Sequence, residues 1–160
     1  MSTPSATTAA TPRLGPTLDS EITWLLHRAA QRMHALTGEQ AEVEGLSLRD
    51  HIVLSALHLG GDLTQAELAR EVGLDKTTLM SQLDRLERAG LVLRRPAPGD
   101  RRARIPVITE AGDAVRAKVA AACRTVEADA LAAFAPDQVD ALRHMLVHLI
   151  GDSADRGSCL

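Results

Sequence analysis

Residues 65–109 constrain this chain more than any other stretch, because two short helical patterns meet at a tight turn and a basic hairpin follows at once. The first pattern opens on Thr64-Gln65-Ala66-Glu67, where the hydroxyl and the carboxylate can each take up a free backbone donor near the other. It closes before Gly73, a residue suited to the positive φ of a turn. Asp75 is placed to cap the next helix, which the spacing carries to about residue 89, with Gly90 as its left-handed terminator. Leu68, Val72, Leu74, Leu79 and Leu83 are the apolar anchors, and small Ala69 lets the two helices approach closely. Residues 91–95 and 103–108 are short β-prone runs joined by Pro96-Ala97-Pro98-Gly99-Asp100, so they form a hairpin.

The remainder reads as helix. Leu18, Ile22, Leu25, Ala29, Met33 and Leu36 make one apolar stripe, predicting a first helix over about 18–37 that Gly38 ends. A second helix, about 48–59, follows Ser47 and is apolar on more than one side, which makes it central. Thr109 restarts helix, and Val115, Val119, Ala122, Val126 and Ala130 form a seam close to a coiled-coil repeat. Pro136 opens the last helix, with Val139, Leu142, Met145, Leu146 and Leu149 on its buried side. Only two aromatics occur in 160 residues, Trp24 and Phe134, so the core must be filled by aliphatic side chains, as in packed helices. Residues 1–16 are a Ser/Thr/Ala/Pro mixture without the charge pattern of a signal peptide, and no apolar run reaches a membrane span. Cys123 and Cys159 are too few and too scattered for a disulfide framework, which fits a reducing cytoplasm.

The net charge of −3 conceals an uneven distribution. Residues 64–104 hold nine basic and six acidic side chains, a local +3 that leaves −6 for the rest. A helix-turn-helix offers the first turns of its second helix to the DNA major groove. Here that helix would present Lys76, Thr77, Thr78, Ser81, Gln82 and Arg85. Hydroxyls and an amide can read base edges, while Lys and Arg can hold phosphates or guanine. The hairpin places Arg101 and Arg102 at a loop tip, able to reach a minor groove with its negative potential. Asp100 is expected to brace this wing by pairing with Arg94. A helical hairpin used only for packing or protein interaction is the alternative, but it has no need for an arginine-tipped wing.

Leu86-Glu87-Arg88-Ala89-Gly90-Leu91-Val92, then Asp100-Arg101-Arg102-Ala103 and Thr109-Glu110-Ala111-Gly112, resemble the multiple-antibiotic-resistance regulator (MarR) family over about residues 18–151. The resemblance implies a mainly α fold with a small β-hairpin wing: a winged helix-turn-helix DNA-binding part plus a helical dimerisation part made by helices one, five and six. It divides the chain into a disordered tail at 1–16, a domain at 17–151, and a C-terminal tail at 152–160. Within the domain, the DNA-binding core falls at about 47–108 and the dimerisation helices at about 18–37 and 110–150. The family implies a homodimeric regulator, usually a repressor, on double-stranded DNA carrying an inverted repeat. Arg102 then becomes the minor-groove arginine, Arg101 a backbone contact and Asp100 the brace. Where many members carry Arg in the middle of the recognition helix, this chain has Ser81, so sequence preference does not transfer.

Apolar stripes on helices one, five and six exceed what a core of this size absorbs, and a second copy would cover them. The family also implies small aromatic, often phenolic, effectors, for which Trp24, His27 and His51 are the candidate lining. Ile52 stands where a urate-sensing subgroup has aspartate, which argues against urate. Two rival switches are zinc at His144 and His148, four apart on the last helix, and oxidation at Cys123 or Cys159. Among aliphatic neighbours the Cys123 thiol would be sluggish. No nucleotide loop, nucleophile elbow or cofactor motif is present, so an enzyme is the weakest reading.

Overall fold

Four helix starts among the described residues are fixed by short polar side chains, Ser47, Thr64, Asp75 and Thr109, that answer the free backbone donors of the first turn. The computed structural model describes residues 21–98 and 100–151, and the backbone alone for residues 100–103. The expected tails at 1–16 and 152–160 lie outside the described residues. The elements run α1 (Ile22–Val43), α2 (Leu48–His58), α3 (Gln65–Glu71), α4 (Lys76–Arg88), β1 (Val92–Ala97), β2 (Asp100–Ile108), α5 (Glu110–Leu131) and α6 (Pro136–Ile150). This is the mainly helical order with a two-stranded wing that the sequence implied. The chain divides into two compact units, the first ending at His34 and the second beginning at Ala35.

In the second unit, α2 is central as expected: Asp50, Val53, Leu54 and Leu57 are buried, and the helix meets α3, α4, α5 and β2. Leu68, Ala69, Leu74, Leu79, Leu83 and Leu86 close over it, joined by Val92 from the wing and Val119 from α5. Val72 is only partly buried at the edge of this cluster. Capping follows the sequence closely at α3, where Thr64 Oγ1 accepts from Glu67 N at 3.3 Å and Glu67 Oε2 accepts from Thr64 N at 2.8 Å. Gly73 and Gly90 have φ of 67° and 73°, the left-handed values their turns require.

Three expectations need correction. α1 does not stop at Gly38; it continues to Val43, and the positive-φ glycine after it is Gly45. Ala41 is buried on that extra length, and the packing there outweighs the roughly 1 kcal/mol that a mid-helix glycine costs. The wing strands also reach further than expected, so Pro96, Ala97 and Asp100–Arg102 belong to strands and not to the loop. Finally, none of the α6 residues is buried within this chain, and Leu142, Met145 and Leu149 are all exposed.

The junction from wing to α5 rests on Gly112. Thr109 caps α5 by accepting from Gly112 N at 3.0 Å, and its hydroxyl donates to Gly90 O at 2.8 Å. Thr109 N also donates to Leu91 O at 3.0 Å, so the start of α5 is sewn onto the end of α4. A Cβ at Gly112 would stand 2.1 Å from the Leu91 carbonyl oxygen, an approach that backbone must yield to accommodate. Gly112→Ala is therefore expected to destabilise the fold by about 1–3 kcal/mol. Thermal unfolding followed by circular dichroism checks this, and an unchanged midpoint would show that the junction is not tight.

Candidate nucleic-acid interface

Asp75 ends the turn and starts α4: its Oδ1 accepts from Thr78 N at 2.9 Å and its Oδ2 from Thr78 Oγ1 at 2.5 Å. These bonds, the side-chain one first, hold the Asp75 carboxyl below its usual range, so the cap stays ionised. Behind the cap, Leu79, Leu83 and Leu86 are buried, which fixes the opposite face of α4 outward. Lys76, Thr77 and Ser81 are exposed on that face, and Thr78 and Gln82 lie at its margin. Thr78 is thus partly engaged in capping, while Lys76, Thr77 and Ser81 carry the open polar surface.

Arg85 has a different occupation from the one expected. Its Nη2 donates to Asp50 Oδ2, to Ser47 Oγ at 2.9 Å and to Gln82 Oε1 at 2.9 Å. Asp50 is completely buried, and its Oδ2 also accepts from Ser47 N at 2.7 Å and Ser47 Oγ at 2.8 Å. The guanidinium is the charge partner of that carboxylate across α2 and α4 through Nη2, while the Arg85 side chain remains 46% exposed. Ser47-Leu48-Arg49-Asp50 is a capping-box spacing visible in the sequence, but nothing local in it points to Arg85.

The wing is antiparallel, with Val92 opposite Ile108 and Pro96 opposite Arg104, and then a register break places Ala97 opposite Asp100. Arg101, Arg102 and Ala103 therefore occupy a bulge on the returning strand, where a strand bends and re-aims its residues. Side-chain positions for Asp100, Arg101 and Arg102 lie outside the described residues. Arg94 braces the wing, but toward α4: Nη2 meets Asp84 at 2.6 Å and Nη1 meets Glu87 at 3.0 Å. The facing helix supplies two carboxylates to an arginine side chain that is only 16% exposed. Arg95 adds a second tie to Asp62, in the segment before α3.

A profile of the MarR family matches residues 44–103. The crystal structure of a probable transcriptional regulator from Pseudomonas aeruginosa is 31% identical, with a TM-score of 0.75 over 83% of this chain and 99% of that one. The chain belongs to the MarR family. The HTH-type transcriptional repressor NicR of Pseudomonas putida is 36% identical over 95 residues, 59% of this chain. The matched part spans 60% of NicR, less than two thirds of that repressor's length. CouR, a transcriptional repressor solved on a 23-mer DNA duplex, is 28% identical with a TM-score of 0.75, over 80% of this chain and 91% of CouR. A CouR from Rhodococcus jostii RHA1, solved with p-coumaroyl-CoA, is 24% identical with a TM-score of 0.76, over 87% of this chain and 98% of that one.

Of the effector candidates in this MarR-family chain, Trp24 and His27 stack at 5.8 Å with 27° between their rings, and Arg28 sits 5.9 Å from the Trp24 ring. They belong to the first unit and His51 to the second. His51 lies half-buried on α2, and its Nδ1 has no hydrogen-bond partner among the described residues. One heptad on, His58 Nδ1 meets Asp113 Oδ1 at 2.7 Å, and Arg116 Nε donates to the same oxygen at 2.7 Å. The Arg116 bond is foremost in holding Asp113 below the usual carboxylate range. Cys123 is buried, its Sγ 3.8 Å from Thr37 O, and burial pushes the thiol up, in keeping with a sluggish sulfur. Among the described residues no group of three His, Cys, Asp or Glu is gathered to hold a metal, around His144 and His148 or elsewhere.

Two outcomes follow from these charges. Arg85→Met strands a buried carboxylate and is expected to lower stability by about 3 kcal/mol in urea unfolding; a loss near zero would mean that water reaches Asp50. Burial, reinforced by Arg116, lowers the His51 pKa from 6.5. The unfolded chain then takes up the proton first as pH drops, so this group's contribution is complete above about pH 6.5 and is lost as pH falls toward the folded pKa. His51→Gln should flatten the stability-versus-pH curve in that window, and a curve identical to wild type would contradict the assignment.

Proposed function

We propose that this MarR-family regulator is a homodimeric repressor that binds an inverted-repeat operator in double-stranded DNA and leaves it when a small organic, aromatic ligand binds. One observation carries the reading: the capped start of α4 offers Lys76, Thr77 and Ser81 beside a wing whose bulge holds Arg101 and Arg102. Hydroxyls and an ammonium suit the major groove, and guanidinium groups suit phosphates and the narrow minor groove. A packing module would have no use for that open polar face. DNA on CouR and the repressor activity named for NicR support the same reading.

The second copy is supported by what α6 leaves uncovered. Leu142, Met145, Leu149 and Ile150 are exposed, and Leu131, Phe134, Gln138, Val139 and Leu142 line an open hollow of about 390 Å³ at the α5–α6 corner. An apolar helix face of this extent is stable in water when a like face covers it. Two reading heads then fall on half-sites about 10–10.5 bp apart or a multiple of that, and a ligand that alters their separation alters affinity. Trp24 and His27 are the aromatic candidates for such a ligand, with His51 as a hydrogen-bonding one; p-coumaroyl-CoA on CouR points to the same chemical class. Action on DNA and the free thiol of Cys123 both suit the cytoplasm.

Arg102→Ala is the direct test. Anisotropy titration of a selected duplex should show weaker binding, with the slope of log K against log salt reduced by about 0.9. Sedimentation should meanwhile give the same dimer for both proteins. Unchanged affinity and slope would remove the wing from the interface.

A further inference from the structure

Gln82, like the capping residue Thr78, has a hydrogen-bonding polarity that is already decided. Its amide lies 2.9 Å from Arg85 Nη2, and a guanidinium has donors only, so the atom facing it has to be the carbonyl oxygen. Arg85 cannot swing away to release it, because the same nitrogen is anchored on α2 by buried Asp50 and by Ser47 Oγ at 2.9 Å. Arg85 thereby takes one of the two lone pairs on the Gln82 oxygen and holds that end of the amide to itself, so the NH₂ group is the end without a partner in the protein.

That half-occupied amide changes what the residue can recognise. An unrestrained glutamine reads adenine by donating to N7 while accepting from N6, a pairing that needs both ends of the amide. Guanine instead presents two acceptors, N7 and O6, side by side in the major groove. The other open residues are less discriminating: the hydroxyls of Thr77 and Ser81 serve donors and acceptors alike, and Lys76 is a point charge. We infer that Gln82 reads guanine as a donor-only side chain and that Arg85 is the positioning residue that makes it so. The inference deepens the DNA-binding reading above and rests on it.

Duplexes are selected from a random-sequence library with the full chain, with Gln82→Met, and with the paired variant Asp50→Asn, Arg85→Met, which avoids stranding a buried carboxylate. Wild type is expected to favour guanine over adenine at one position in each half of the selected sequence, by about fivefold. Gln82→Met should lose that preference while keeping the others, and the paired variant should raise adenine there to the level of guanine. An adenine preference in wild type at the Gln82-dependent position, or no position that depends on Gln82, overturns the donor-only reading while DNA binding stands. Guanine preference intact in the paired variant overturns the positioning role of Arg85. If none of the three proteins enriches any duplex, the DNA-binding reading itself fails.

Discussion

A carboxylate removed from water must be met by donors at fixed positions, and Asp50 obtains them from Ser47 on its own helix and from Arg85 on α4. The two halves of this arrangement act at different ranges. Ser47 makes Asp50 part of a helix cap, which sets where α2 begins. Arg85 makes the same group a link between the central helix and the reading helix, which sets how α4 lies over the core. Leu79, Leu83 and Leu86 hold α4 by burial and set which of its faces turns outward. An ion pair with shared hydrogen bonds is directional, and it adds one fixed point between the two helices to that packing.

The wing is positioned by the same kind of device at a wetter site. Arg94 reaches back to Asp84 and Glu87 on α4, and Arg95 to Asp62 before α3. Exposed pairs of this type contribute little stability, but they orient a two-stranded ribbon that has little core of its own. Three basic residues of the 64–104 segment, Arg85, Arg94 and Arg95, are consequently occupied by internal carboxylates. The local excess of positive charge therefore overstates the number of cations open to phosphate, and the bulge at Arg101 and Arg102 matters correspondingly more.

Capping and turns were the most legible features of the sequence. Thr64 with Glu67, Asp75 with Thr78, Thr109 with Gly112, and the left-handed Gly73 and Gly90 are all interactions between residues a few positions apart. α1 runs past Gly38 because a mid-helix glycine is a weak stop, and the packing of Ala41 beyond it outweighs the cost. The wing strands outrun their sequence signal because Pro96 reads as loop, whereas an edge strand tolerates proline where no ladder donor is required. The expected Arg94–Asp100 pair rests on a side chain outside the described residues; the carboxylates that Arg94 does meet lie on α4, ten and seven residues back along the chain.

What the sequence settled alone was the order of elements, their caps and the family, since each depends on neighbouring residues or on a run of motifs. Which polar residues are open and which are engaged was decided only by tertiary structure. Arg85 and Asp50 are 35 residues apart, and no periodicity or spacing marks them as partners. Their pairing exists because the packing of α2 against α4 buries one charge where a single long side chain can reach it.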